Sequence, residues 1–146
     1  MHSGIENKRA RFDYEILEEF SAGIVLSGHE TKSIKQGHCS LSGAHAIVRN
    51  NELYIVGMQI PSFQPENIPT DYDPDRVKKL LMKKGEIATI LGKLKSGLTL
   101  VPLKVYNTKR GLLKIQLGLG RGLKKHDKRE LIKKREIERE IQRFKE

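Results

Sequence analysis

The chain has 146 residues, 28 Lys/Arg against 18 Asp/Glu and a formal charge of +10, a balance that favours a polyanionic partner such as nucleic acid or an anionic membrane surface. Its length suits one domain with an appendage, and no run nears the roughly 20 apolar residues of a bilayer span. The start lacks a signal peptide's apolar stretch and the lone Cys39 can form no intramolecular disulfide, so a soluble, cytoplasmic protein is expected.

Residues 7–11, Asn7-Lys8-Arg9-Ala10-Arg11, form a basic arm. After it, Tyr14, Ile16, Phe20, Ile24 and Leu26 fall on even positions, which predicts one bent strand or two joined near Ser21-Ala22-Gly23. A short helix over residues 30–36 should stop at Gly37. Two β-rich runs, 44–49 and 52–57, flank Asn50-Asn51, whose tolerance of positive φ predicts a hairpin.

Pro61, Pro65, Pro69 and Pro74 then punctuate a loop containing Asp71, Asp73 and Asp75. Asp73-Pro74 reads as an N-cap opening a helix through Leu80-Leu81-Met82 that ends before Gly85. A second helix over residues 86–95 carries Ile87, Ile90, Leu91 and Leu94 at helical spacing, with core packing as its role. Strands at 98–106 and 112–119 follow. About six antiparallel strands with inserted short helices point to a mainly β fold, a small OB-like barrel that closes its own edges over residues 1–120.

Residues 121–146 carry eleven Lys/Arg and six Asp/Glu, half of the net charge in under a fifth of the length. Written as a helix, this tail has one thin apolar stripe, Ile137, Ile141 and Phe144, too little to offset the ordering of its backbone. Two readings stand side by side: a tail loose when free that becomes helical on a polyanion, or a solvated terminal helix packed on the body by those three residues. Gly118-Leu119-Gly120-Arg121-Gly122 lacks the Gly-Lys-Ser/Thr of a phosphate loop and reads as a hinge.

Catalytic and metal signatures are weak. His2, His29, His38, His45 and His126 lack metal-ligand spacing, so no metal or cofactor is expected. His126-Asp127 mimics an acid/base pair only as sequence neighbours, and a charged tail supplies no pocket to tune them. With no Trp, four Tyr and four Phe, recognition by backbone charge and RNA shape is a better expectation than general single-strand stacking.

Four segments, in order, resemble the SmpB family that binds SsrA RNA, or transfer-messenger RNA (tmRNA). They are residues 7–11, residues 23–33 (Gly23-Ile24-Val25-Leu26-Ser27-Gly28-His29-Glu30-Thr31-Lys32-Ser33), the Asp73-Pro74-Asp75-Arg76-Val77-Lys78-Lys79-Leu80-Leu81 segment, and Lys124-Lys125-His126-Asp127-Lys128-Arg129. The resemblance implies a non-catalytic adaptor, a monomer with no membrane role, that binds the tRNA-like domain of tmRNA and enters stalled ribosomes with elongation factor Tu in trans-translation. By position, the RNA-gripping surface would include Asn7, Lys8, Arg9, Arg11, Glu30, Lys32, Leu81, Lys83 and Lys114. Glu30 cannot meet a phosphate: it would orient a neighbouring cation, accept from a 2′-hydroxyl or base amine, or serve as a cap. Leu81 would pack on a base or complete the core.

In the tail, the resemblance implies that Gly122 is the hinge and that Lys124, Lys125, His126, Asp127, Lys128 and Arg129 meet the decoding centre of the small ribosomal subunit. The remaining helix would probe the vacant mRNA channel. Ser21, His29, Thr31 and Leu123 depart from the family's usual residues, which puts one expected RNA contact, at Ser21, in doubt. A generic single-stranded nucleic-acid binder is the alternative.

Overall fold

The computed structural model describes residues 4–61 and 72–145. Pro65, Pro69 and Asp71 lie outside the described residues, as do the side chains of Lys125, His126, Asp127 and Phe144. In chain order the elements are β1 (Ile5–Glu6), α1 (Lys8–Asp13), β2 (Tyr14–Ile24), α2 (Gly28–Lys35), β3 (His45–Arg49), β4 (Glu52–Val56), β5 (Lys78–Leu81), α3 (Lys84–Lys95), β6 (Thr99–Asn107), β7 (Leu113–Gly122) and α4 (Lys125–Lys145). The fold is mainly β: a seven-stranded antiparallel sheet in the order β1-β6-β7-β2-β5-β4-β3.

Period-2 alternation puts the apolar set on one face of this curled sheet. Leu53, Ile55, Leu100, Ile115, Leu117 and Leu119 are fully buried there, and α3 lays Ile90 into the same core with Ile87, Leu91 and Leu94 beside it. Asn50 and Asn51 take φ of 53° and 61°, the left-handed values that a two-residue β3–β4 hairpin demands. The long predicted strand is one element, β2, bent by a bulge whose register shift lies between Ile16 and Glu18. β3 packs beside β6, yet among the described residues no hydrogen-bonded pairing joins them. The expected closure of the barrel's edges is therefore not made by strand hydrogen bonds among the described residues, and the sheet stays open as a ladder.

Two expectations are corrected. The segment after Asp73-Pro74 is no helix: Arg76 donates its backbone N–H back to the Asp73 carbonyl in a turn, and Lys78–Leu81 form β5 between β2 and β4. Gly118 and Gly120 are no hinge either. They sit inside β7, where a Cβ at Gly118 would lie 2.9 Å from Leu103 Cδ1 and one at Gly120 would collide with the Glu15 carbonyl oxygen. Glycine is required there by close approach of β2, and the ladder runs on to Gly122 opposite Tyr14.

α4 is a 21-residue helix, and Ile137 and Ile141 are exposed, so neither of these two side chains holds it to the body. Charge does: Lys128 Nζ lies 2.9 Å from Asp13 Oδ1 and 5.7 Å from the Phe12 ring centre, and Arg135 donates to the Arg11 carbonyl at 3.3 Å.

Candidate nucleic-acid interface

The basic arm is the first piece of the interface, and it is helical. Asn7 caps α1, its Oδ1 accepting from the Ala10 N–H at 3.2 Å, while its Nδ2 donates to the carbonyls of Leu41 at 3.0 Å and Pro102 at 2.8 Å. The side chain is buried with both of its donors and its acceptor engaged inside the protein, so Asn7 anchors the arm. Lys8, Arg9 and Arg11 project from the anchored helix into solvent. Arg9 is paired to Asp13 at 3.2 Å and Arg11 to Glu19 at 3.0 Å, exposed pairs that a phosphate can readily compete for.

The second piece is the outer face of the sheet. Gly23 stands opposite Leu81 on one side and Lys114 on the other, so three adjacent strands bring Leu81 and Lys114 to flank a position with no side chain. Leu81 belongs to β5, not to a helix. It is 52% exposed and so does not complete the core. Lys83, likewise not within a helix as expected, is the exposed N-terminal flank of α3. Tyr106 is Lys114's neighbour across β6–β7, and its hydroxyl shares a 2.8 Å hydrogen bond with Ser21 Oγ. Ser21 thus replaces an expected carboxylate with a neutral hydroxyl on the same face.

Glu30 and Lys32 ride on α2, whose start is fixed by a capping box. Ser27 Oγ accepts from the Glu30 N–H at 3.3 Å and Glu30 Oε1 accepts from the Ser27 N–H at 2.8 Å. Glu30 is fully buried, with its carboxylate turned to partners within the protein. The cation it orients is Arg76, whose Nη2 and Nε reach its two carboxylate oxygens at 2.5 and 3.3 Å. Burial alone pushes the Glu30 carboxyl up, but the Arg76 guanidinium and the Ser27 N–H outweigh it and hold the group below its ordinary value of 4.5. Lys32 is exposed on the same helix.

Beneath this corner Lys78 is fully buried, its ammonium donating to the carbonyls of Met58 at 2.6 Å and Pro74 at 3.3 Å, and burial draws its pKa below 10.5. It pins the chain that carries Arg76. Arg76, Lys78 and Tyr106 escaped the sequence reading. Only the Asp73-Pro74-Asp75-Arg76 motif hinted at the first, and nothing local distinguishes an inward lysine from an outward one.

The tail's Gly122 ends β7, and the Leu123 N–H still donates to the Asp13 carbonyl at 2.8 Å, so the turn into α4 begins after Leu123. Lys124 and Arg129 are exposed and Lys128 is held at Asp13, whose carboxyl it draws below the usual 3.8. Where α4 crosses the arm, a cleft of about 380 Å³ is lined by Lys8, Arg11, Lys104, Arg135 and Arg139. Burial pushes the Cys39 thiol up to about 11, which keeps it protonated, and among the described residues no three His, Cys, Asp or Glu gather as metal ligands. No described helix is long and apolar enough to cross a membrane.

Comparison with known proteins adds independent evidence. The chain is 45% identical over 141 residues to the SsrA-binding protein of Chlorobaculum tepidum, covering 96% of this chain and 89% of that one. It is 49% identical over 139 residues to the SsrA-binding protein of Synechococcus elongatus, covering 94% and 90%. A solved structure described as "tmRNA-SmpB: a journey to the center of the bacterial ribosome" matches with a TM-score of 0.71 at 41% identity, over 90% of this chain and 95% of that one. The family model for SmpB protein spans residues 4–146, and the chain belongs to the SmpB family.

Proposed function

We propose that this protein is a non-catalytic adaptor that binds the tRNA-like domain of tmRNA through its arm and outer sheet face and accompanies it to stalled ribosomes. The observation that carries the reading is the register that sets Leu81 and Lys114 on either side of Gly23, an exposed apolar side chain beside a cation on a rigid sheet. Such a pair suits RNA, whose bases offer apolar faces and whose phosphates attract cations. The named relatives and the matched tmRNA structure support the same partner. A general single-strand binder is less well supported, because on this face the nearest ring, Tyr106, has its hydroxyl tied to Ser21.

The protein works as a cytoplasmic monomer, with elongation factor Tu joining as part of the tmRNA complex. The tail, roughly 30 Å of helix, reads the vacant mRNA channel through Lys124, Lys125, His126, Asp127, Lys128 and Arg129. Filter binding at matched salt should show much tighter association with tmRNA than with unstructured RNA of equal length; equal affinities would contradict the proposal. Lys114→Gln should weaken tmRNA binding and flatten the log K against log salt slope by about 1.

A further inference from the structure

The outer face of β2 and β5 continues past Gly23 and Leu81. Val25 donates its N–H to the Lys79 carbonyl at 2.9 Å, extending the antiparallel register so that Val25 and Val77 share the face of Leu81. Val25 is 43% exposed and Val77 47% exposed, and no core residue claims either. Between them lies Arg76. Its Nη2 donates to the Val25 carbonyl at 3.3 Å as well as to Glu30, and its Nη1 donates to the Val77 carbonyl at 3.2 Å.

A guanidinium has five N–H donors, and four of these are spent on protein acceptors. Its charge is balanced by the buried Glu30 carboxylate. An arginine so engaged has little to give a phosphate, while its side chain stays 43% exposed. Flat, rigid and flanked by two valines, the guanidinium has the chemistry of a stacking surface, since unstacked RNA bases lie on guanidinium planes and apolar side chains alike.

We propose that Arg76, Val25 and Val77 form a seat on which an unpaired base of the bound RNA stacks, with Glu30 as the positioning residue that holds the guanidinium in plane. The seat rests on the RNA-binding reading given above and extends it. A nucleic-acid occupant is favoured over a protein one by the cations of this side of the molecule: Lys114 stands opposite Gly23, and Lys32 and Lys83 are exposed on α2 and at the start of α3.

The test uses the full chain and tmRNA. Val25→Ser with Val77→Ser alters only exposed side chains, so the fold should persist by thermal melting. Affinity should fall about fivefold or more while the salt slope stays unchanged, because no phosphate contact is lost. Arg76→Lys keeps the charge and removes the plane, and should lose affinity in the same way. Base-specific chemical probing should show at least one base protected by the wild type and reactive with the double variant. Unchanged affinity in the valine variant, or a loss matched by a slope change of about 1 as in Lys114→Gln, would overturn the seat. Unchanged tmRNA affinity with weakened ribosome binding would assign the patch to the ribosome and overturn the seat too. If the wild type fails to prefer tmRNA over unstructured RNA, the parent reading fails instead, and the two failures are distinct.

Discussion

Asn7 and Glu30 are polar residues that the family pattern places in an RNA interface, yet both are buried with every strong hydrogen-bonding group engaged. Each fixes another element of the fold: Asn7 sets the arm helix against β6, and Glu30 sets Arg76 against the sheet. Removing Glu30's charge should therefore act through stability. Glu30→Gln should cost about 2 kcal/mol at pH 7, since a buried hydrogen bond to a charged group is lost. Because the folded carboxyl titrates below 4.5, its contribution is full above that pH and disappears as pH falls through the lowered value. Urea midpoints of wild type and variant should thus converge below pH 4.5, and a gap that persists in acid would contradict the pairing with Arg76.

The elements show which patterns survive translation from sequence into fold. The β3–β4 hairpin was legible because Asn50-Asn51 is turn chemistry that works locally, and α3 because its stripe of Ile87, Ile90, Leu91 and Leu94 faces one core. β5 was not legible. Lys78 points inward and Val77 and Leu81 outward, which inverts the apolar alternation and leaves a strand that looks helical by spacing. The glycines of β7 misled for a related reason: freedom of backbone and absence of a side chain look identical in sequence, and only the packing of Ile16 and Glu15 shows that the second is in use. Gly120→Ala should accordingly destabilise the fold by about 2 kcal/mol or more through the β2–β7 ladder, read as a lowered urea midpoint. A variant as stable as wild type would restore the hinge.

At the scale of the molecule, a basic body and a basic tail are joined just beyond β7. The body presents its proposed RNA face on a closely packed sheet, whereas α4 is held by one partly exposed ion pair, Lys128–Asp13, and an exposed hydrogen bond from Arg135 to the Arg11 carbonyl, contacts that salt and competing phosphates weaken. That contrast suits a tail that leaves the arm once a ribosome offers more charge than Asp13 does. It also fixes where the two functions can be cut apart. A chain ended at Gly120 would lose the Gly122–Tyr14 pairing and the Arg121–Glu15 ion pair, so the cut belongs after Lys124.

The most direct measurement of this division of labour is a paired assay of the chain truncated after Lys124: tmRNA affinity in solution, and peptide tagging on stalled ribosomes. The account predicts affinity close to that of the full chain with tagging abolished. A truncated protein that loses tmRNA binding, or one that still supports tagging, would contradict it.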